Sequence, residues 1–585
     1  LDKAILAAVV AALAVAPLLV APFTVTLLNY VGIGALVALG LVLLTGFGGL
    51  TSFGQASLVG VGAYATAWLS TRVGADPWLG LALALALTGA VAAVLGAVTL
   101  RLGGHFLPLS TIAWGIAIYF LFGNVPGLGY HDGIKEIPPL TLVGVPLASN
   151  FAIFYLIWAA LGISMWLMRN LLDSREGRAI RSLRGGAMMI ASLGVNLFRI
   201  RLVIFVIAAM LAGLAGWLYA HMNRYISPSP FEVRPSIEYL LMAMVGGATS
   251  IYGAVVGAAV VMLLKNFFQD VLPHVSKSAG QLEIVGFSVL LILILMYARG
   301  GVMSAVRRLA PLRPAPLPPP GTPPLPRRSQ PQAGTPLLRV EGAVKRFGGL
   351  VAVNQVSFDV NAGEIIGLIG PNGAGKSTIF NLITGAQRAS AGKFTFLGRN
   401  ITGLPQQRIA AAGIARTFQH VKLRPTMTLL DNVLLGTYVR TRAGFALGAS
   451  RLDRREEAQA KVEALRQLGR VGLGERAQLN AGNLPLGSQR MLEVARALAA
   501  DPVLIVLDEP AAGLRRGEKD ALTQQLRALR DDGVTILIVE HDVEFVMGLV
   551  DRVVVMDFGA KLMEGLPGEV RASPIVQEAY LGGVA

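Results

Sequence analysis

Gly370-Pro371-Asn372-Gly373-Ala374-Gly375-Lys376-Ser377-Thr378 is the stretch on which the reading of this chain turns. An apolar run, Ile365-Ile366-Gly367-Leu368-Ile369, precedes it and reads as a buried strand; Ile379 to Ile383 follows and reads as the first turns of a helix. Strand, glycine loop and helix is the setting in which GxxxxGK[ST] holds phosphate. The glycines let backbone N–H groups curl around an anion, and the helix N-terminus adds positive potential. Lys376 is then expected to reach the β- and γ-phosphates of ATP, and the Ser377 hydroxyl to hold Mg²⁺.

Working outward, Val503 to Leu507 reads as a second buried strand, ending in Asp508-Glu509-Pro510. A carboxylate pair at a strand end is weak evidence alone. Spaced after a phosphate loop, it assigns Asp508 to Mg²⁺, directly or through water, and Glu509 to the attacking water. Val534 to Val539 is a further strand, ending in Glu540-His541-Asp542, and Leu338–Glu341 and Ala352–Val360 read as strands before the loop. Strands alternating with helices predict a parallel α/β sheet over 337–585.

The residues before this region are of another kind. The chain has 585 residues, 54% of them hydrophobic and 15% charged, which is too long for one domain and too apolar for an ordinary soluble enzyme. Apolar segments at 4–28, 31–50, 54–73, 78–100, 106–123, 151–171, 200–222, 236–265 and 282–298 are each near the roughly 20 residues that span hydrocarbon. The first, with Lys3 ahead of it and Ala14-Val15-Ala16 within it, also has the look of a secretory signal; its continuation to Leu28 favours a membrane span. The net charge is +16, and many Arg residues sit in short loops between apolar runs, which marks the cytoplasmic side rather than a nucleic-acid surface. There are no cysteines, hence no disulfides and no cysteine metal sites.

Arg169, Arg175, Arg178, Arg181, Arg184, Arg199 and Arg201 crowd one loop, and Arg299, Arg307 and Arg308 follow the last apolar segment. Both places are expected in the cytoplasm, with the ATPase. By parity the segment 236–265 must start and finish outside. Its centre, Val245-Gly246-Gly247-Ala248-Thr249-Ser250-Ile251-Tyr252-Gly253, is a helix break, and the segment reads as a re-entrant hairpin of two short helices. Helix breaks of this kind hold solutes in transporters. Thr45 to Ser57 (TGFGGLTSFGQAS) is a second interruption, read as a loop or as close helix packing in preference to a solute path. His131 and Asp132, in the external loop 124–139, are expected to be solvated. Residues 309–336 (PLRPAPLPPPGTPPLPRRSQPQAGTP from 311) are proline-rich and are expected to be an extended spacer rather than a proline-motif docking site.

Both halves resemble one family. GGLTSFGQASLVGVGAYATAWL, RLGGHFLPLSTIAWG, SREGRAIRSLR and FVIAAMLAGLAGWLYAH are similar to the permease subunits of bacterial branched-chain amino-acid importers. The region after 336 resembles ATP-binding-cassette ATPases, and KRFGGLVAV, AAGL and AYLG resemble those of the same importers. The resemblance implies an adenine contact for Phe347, sensing of Mg²⁺ and the γ-phosphate for Gln419, and a switch role for His541. It also places Leu484-Pro485-Leu486-Gly487-Ser488-Gln489-Arg490 as the signature loop, ahead of a helix over 491–499. Ser488 and Arg515 depart from the family's usual Gln and Asn. Ala187 to Asn196 falls where such permeases carry a cytoplasmic coupling helix, with Gly185 and Gly186 where an acidic residue usually stands. The expected molecule is multi-domain: an all-α polytopic permease (1–308), a linker (309–336) and an α/β ATPase (337–585). It would sit in the bacterial inner membrane, with its ATPase cytoplasmic, and import branched-chain or similar small amino acids, or alternatively urea or short amides. Expected partners are the lipid bilayer, an extracytoplasmic solute-binding protein, and a second permease and second ATPase, favoured over a homodimer. No nucleic acid is expected.

Overall fold

The computed structural model describes residues 3–101, 106–142, 144–275, 288–289, 292–293, 296–297, 300–304 and 316–581. The expected span 282–298 and Arg299, Arg307 and Arg308 lie outside the described residues, apart from scattered positions. The chain forms two compact units. One takes the chain up to Leu172 and from Phe198 to Arg313; the other takes Asp173–Leu197 together with Pro314 onward. The arginine-rich segment that interrupts the first half in sequence therefore belongs to the second unit in space.

The first unit is helical: α1 Lys3–Leu19, α2 Pro22–Leu41, α3 Gln55–Arg72, α4 Pro77–Thr99, α5 Phe106–Asn124, α6 Asn150–Asp173, α9 Leu197–Asn223, α10 Val233–Gly247 and α11 Ile251–Val275; α7 Arg175–Ser182 and α8 Ala187–Ser192 are in the other unit. Six helices among the described residues are long and apolar enough to cross a membrane. The first break differs from the sequence reading. It falls at Val20-Ala21 because Pro22, which lacks an N–H, opens α2 after an extended Ala21. Asn29, expected near a loop, is instead buried inside α2 and donates to the Asn150 carbonyl at 2.8 Å.

α2 runs on as a π-helical turn, Val42–Phe47, into the irregular Gly48–Gly54. A Cβ on Gly46 would lie 1.5 Å from the Ala248 carbonyl oxygen, so only glycine lets these backbones meet. Within this stretch Thr45 Oγ1 donates to the Leu50 carbonyl at 3.1 Å and Ser57 Oγ to the Gly54 carbonyl at 2.8 Å, while its backbone is tied to other helices: Phe53 N–H donates to Thr111 Oγ1 at 3.1 Å and Ala56 N–H to Ser236 Oγ at 2.9 Å. α3 is buried nearly all round and lies on α9, where His221 joins Thr66 Oγ1 at 2.9 Å and the Pro138 carbonyl at 2.8 Å. His131 and Asp132 are exposed.

α10 and α11 form an antiparallel hairpin broken at Ala248-Thr249-Ser250, with Lys265 Nζ 3.0 Å from Glu238 Oε2 near its open end. The arms are longer than the sequence reading allowed: at 1.5 Å per residue they measure about 22 Å and about 37 Å. The helical backbone runs past the expected end at residue 265, through Asp270 to Val275. The tip lies against residues 300–304: a Cβ on Gly301 would come 2.4 Å from Gly247 Cα. We expect Glu232→Cys and Asp270→Cys, in this cysteine-free chain, both to react with an impermeant maleimide from outside only. Reaction of Asp270→Cys from the cytoplasm alone would make the segment a single crossing.

The second unit is built on a six-stranded sheet in the order 560–565, 552–557, 365–369, 535–539, 504–508, 414–416. It is parallel except for the hairpin made by 552–557 and 560–565. A four-stranded antiparallel sheet, 350–361, 336–347, 391–396 and 399–400, completes it. Strand side chains alternate between two faces. Ile505, Leu507, Ile536 and Ile538 pack against the helices 454–470, 486–498 and 516–531. Leu504, Val506, Leu537 and Val539 pack on the other side, against Ile379, Phe380 and the antiparallel sheet. The helix that follows the phosphate loop and the helix that carries the signature residues are therefore on opposite faces of one sheet.

Candidate nucleotide site and docking surface

The glycine loop joins the end of strand 365–369 to helix Lys376–Ile383. The helix opens at Lys376, because Gly375 caps it in the left-handed conformation at φ +92°. A Cβ on Gly375 would meet the Ala352 carbonyl at 2.4 Å, and one on Gly370 the Met556 carbonyl at 2.1 Å. Those two positions must be glycine for the loop to pass between its neighbours. Lys376 Nζ donates to the carbonyls of Gly370 at 2.6 Å and Pro371 at 2.9 Å, and burial pulls its pKa down against the charge of Glu509. Asn372 and Gly373 are exposed, Ala374 is buried, and Ser377 and Thr378 stand in the helix's first turn, Ser377 exposed.

Strand 504–508 delivers Asp508 and Glu509 beside this loop's own strand neighbours. Burial pushes the Asp508 carboxyl up to about 6 against the pull of Arg416, and its Oδ1 is buried with no hydrogen-bond partner among the described residues. An unsatisfied carboxylate oxygen of this kind fits a cation. Glu509 sits at φ +46°, a left-handed backbone uncommon for a residue with a Cβ, and its N–H donates to the Val539 carbonyl at 2.8 Å. That geometry brings Glu509 Oε2 to 2.9 Å from Gln419 Nε2 and 3.7 Å from His541 Nδ1. The three residues read from separate motifs thus meet at one point. Phe347 ends strand 336–347 with its ring half-exposed and the Lys345 ammonium 4.9 Å from its centroid.

The signature residues differ from the sequence reading in one respect. Their helix starts at Leu486, not Met491, so Gly487, Ser488 and Gln489 form its first turn behind the extended Pro485. Gln489 Nε2 donates to the Leu484 carbonyl at 2.8 Å, and the space a Gly487 side chain would need is taken by Glu518, 2.5 Å away. Glu518 accepts from the Arg515 N–H at 2.9 Å, which puts Arg515 at the start of the neighbouring helix 516–531.

Four charged residues at this site make contacts that the sequence reading did not assign. Arg490 donates at 2.8 Å to the Phe418 carbonyl and also to that of Gln419, tying the signature helix to the Gln419 loop. Arg416, buried between the Phe380 and Phe418 rings and lowered by that burial to about 10, donates to Thr384 Oγ1 at 2.8 Å. Glu540 is buried and accepts from the Ala511 N–H at 2.7 Å. Lys519 Nζ lies 2.5 Å from Asp542, which caps helix 543–547. Each partner lies far off in sequence, so no local pattern announces the pair.

The arginine-rich segment 173–197 makes a second surface on the same unit. Ser174 caps helix Arg175–Ser182, and Arg178 pairs bidentately with Glu457 at 2.7 and 2.8 Å. Burial works to raise the Glu457 carboxyl, but Arg178 outweighs it and the net shift is downward. The Arg175 guanidinium lies 3.6 Å from the Tyr438 ring centroid, Tyr438 Oη donates to Glu176 at 3.1 Å, and Arg181 is 3.4 Å from Asp431. The acidic residue missing at Gly185-Gly186 is thus replaced by polar contacts one helix earlier. Glu457→Ala removes the bidentate partner of the buried Arg178 and is expected to destabilise this surface by about 3–5 kcal/mol. Arg181→Ala, at a half-exposed pair, is expected to cost less than about 1 kcal/mol. Loss of amide-exchange protection in helix 454–470 measures the difference; equal effects would contradict it.

Comparison with known proteins gives the family. A family model described as the permease component of the branched-chain amino acid transport system matches residues 23–299, and one described as ABC transporter matches 353–512. The high-affinity branched-chain amino acid transport ATP-binding protein LivG of Salmonella typhimurium is 44% identical over 250 residues, which cover 42% of this chain and 98% of that protein. The chain belongs to the branched-chain amino acid ABC transporter family. It joins the family's permease and its ATP-binding cassette in one polypeptide, and the cassette is an ATP hydrolase coupled to transport. A family model described as branched-chain amino acid ATP-binding cassette transporter matches residues 560–585 of this family member. The probable LivG protein of Archaeoglobus fulgidus is 36% identical, covering 42% of the chain and 95% of that protein. The crystal structure of a nucleotide-free ATP-binding cassette is 33% identical, covers 42% of this chain and 99% of its own, and superposes with a TM-score of 0.38.

Proposed function

We propose that this protein imports branched-chain or similar small amino acids across the bacterial inner membrane, as the fused permease and ATPase of a larger importer with its cassette in the cytoplasm. The observation that carries the reading is the joining, in one chain, of a branched-chain permease match over 23–299 to an ABC transporter match over 353–512. Uptake with the cognate solute-binding protein and a panel of leucine, isoleucine, valine, urea and short amides tests the substrate. Accumulation of urea or amides, with none of the amino acids, would overturn it.

In this reading the backbone N–H groups of Gly370 to Thr378 and the Lys376 ammonium hold the phosphates of ATP, and Phe347 stacks on adenine. Ser377 Oγ, Gln419 and the unpartnered Asp508 Oδ1 would hold Mg²⁺, which when bound neutralises phosphate charge. Glu509 orients and polarises the attacking water, with Gln419 and His541 fixing its position from either side.

The sheet supports a paired assembly. The phosphate-loop helix and the signature helix pack on opposite faces, so one ATP does not touch both motifs of one chain. Leu484, Gly487, Ser488 and Gln489 then serve an ATP held by the loop of another cassette. We favour a partner permease and a partner ATPase over a second copy, since Ser488 and Arg515 depart from the family pattern as one member of an unlike pair can. Purification of this chain alone tests that preference: a stable homodimer that imports solute with only the capture protein would refute it.

A further inference from the structure

The proline-rich residues 316–335 are not free on the cassette unit. Leu325 is 4% exposed and enters the core beside the helices 429–434 and 454–470. Its carbonyl and that of Pro326 accept from Arg440 Nη2 at 3.1 and 2.9 Å. Arg328 donates its backbone N–H to Asp501 and its guanidinium to the Ala411 carbonyl at 3.1 Å, while Lys461 Nζ reaches the Pro316 carbonyl at 3.1 Å. A segment rich in proline has few N–H groups to offer, so it is gripped through its carbonyls by cationic side chains.

The same elements hold the segment 173–197. In the turn Gly436–Arg440, Tyr438 contacts Arg175 and Glu176, a Cβ on Gly194 would touch Val439 at 2.2 Å, and Arg440 holds the linker. On helix 454–470, Glu457 holds Arg178, Lys461 holds Pro316, and Glu463 lies 3.5 Å from Arg440. One surface, residues 436–463, thus receives both stretches by which the membrane half enters this unit.

We propose that residues 316–335 are a docking strap rather than a spacer, seated on the same surface of the cassette unit that holds segment 173–197. The inference is independent of the nucleotide chemistry and of the transported solute.

Limited trypsin digestion of the full chain tests it. Trypsin cuts a free linker readily after Arg327 and Arg328; a seated one is cut only when it lifts off. Cleavage there is expected to be slow in the natural protein and about tenfold faster in Arg440→Ala, or in Leu325→Ala should the first variant fold poorly. Equal rates in natural and variant protein would refute the strap.

Discussion

Glu509→Gln is expected to bind ATP as the natural protein does and to hydrolyse it roughly 10²–10⁴-fold more slowly. The substitution keeps the side chain's size and its contact distance to Gln419, now 2.9 Å, and removes the carboxylate that would draw a proton from water. The backbone around it is over-determined: the φ of +46° is held by the hydrogen bond to Val539 and by the strand register that pairs Asp508 with Val539. An uncommon conformation kept by its surroundings is the kind found at reacting centres. Phosphate release measured beside equilibrium binding of a fluorescent nucleotide separates the two properties. Normal hydrolysis in Glu509→Gln protein would remove Glu509 from the mechanism.

Lys376→Ala is expected to abolish nucleotide binding at any practical concentration. Its ammonium is held over the loop by the Gly370 and Pro371 carbonyls, which positions it without a flexible search. Two charge-assisted hydrogen bonds to phosphate are together worth roughly 3–6 kcal/mol, or about 10²–10⁴ in affinity. Burial that lowers its pKa is a cost it bears for sitting at the anion's place, and a bound phosphate reverses that cost. Titration of nucleotide against the purified variant checks this; an affinity within a few-fold of the natural protein's would assign phosphate binding to the backbone alone.

The phosphate loop was legible because its information is local: glycines at fixed spacing, then Lys376 and Ser377, between an apolar strand and a helix. Asp508, Glu509 and His541 were legible for the same reason, each standing at the end of an apolar run. The convergence of Glu509, Gln419 and His541 was expected from resemblance and becomes a matter of distances only in three dimensions. The pair Arg178–Glu457 is separated by 279 positions, and an arginine beside a membrane span reads as a topology signal whether or not it has a partner. Leu325 was hidden in a stretch whose composition says only that it is extended. The segments 4–28 and 31–50 put the first break near Asn29, but Pro22 opens the helix earlier and Asn29 is buried inside it, its Nδ2 donating to the Asn150 carbonyl.

The claim that this polypeptide couples ATP hydrolysis to inward movement of a small amino acid is tested most directly in liposomes. The protein, with whatever subunits co-purify with it, is reconstituted with ATP inside at the cassette and the solute-binding protein with labelled leucine at the opposite face. ATP-dependent accumulation against a gradient is predicted for the natural protein and its loss for Glu509→Gln. Accumulation that persists without ATP, or that is undiminished in Glu509→Gln, would contradict the account.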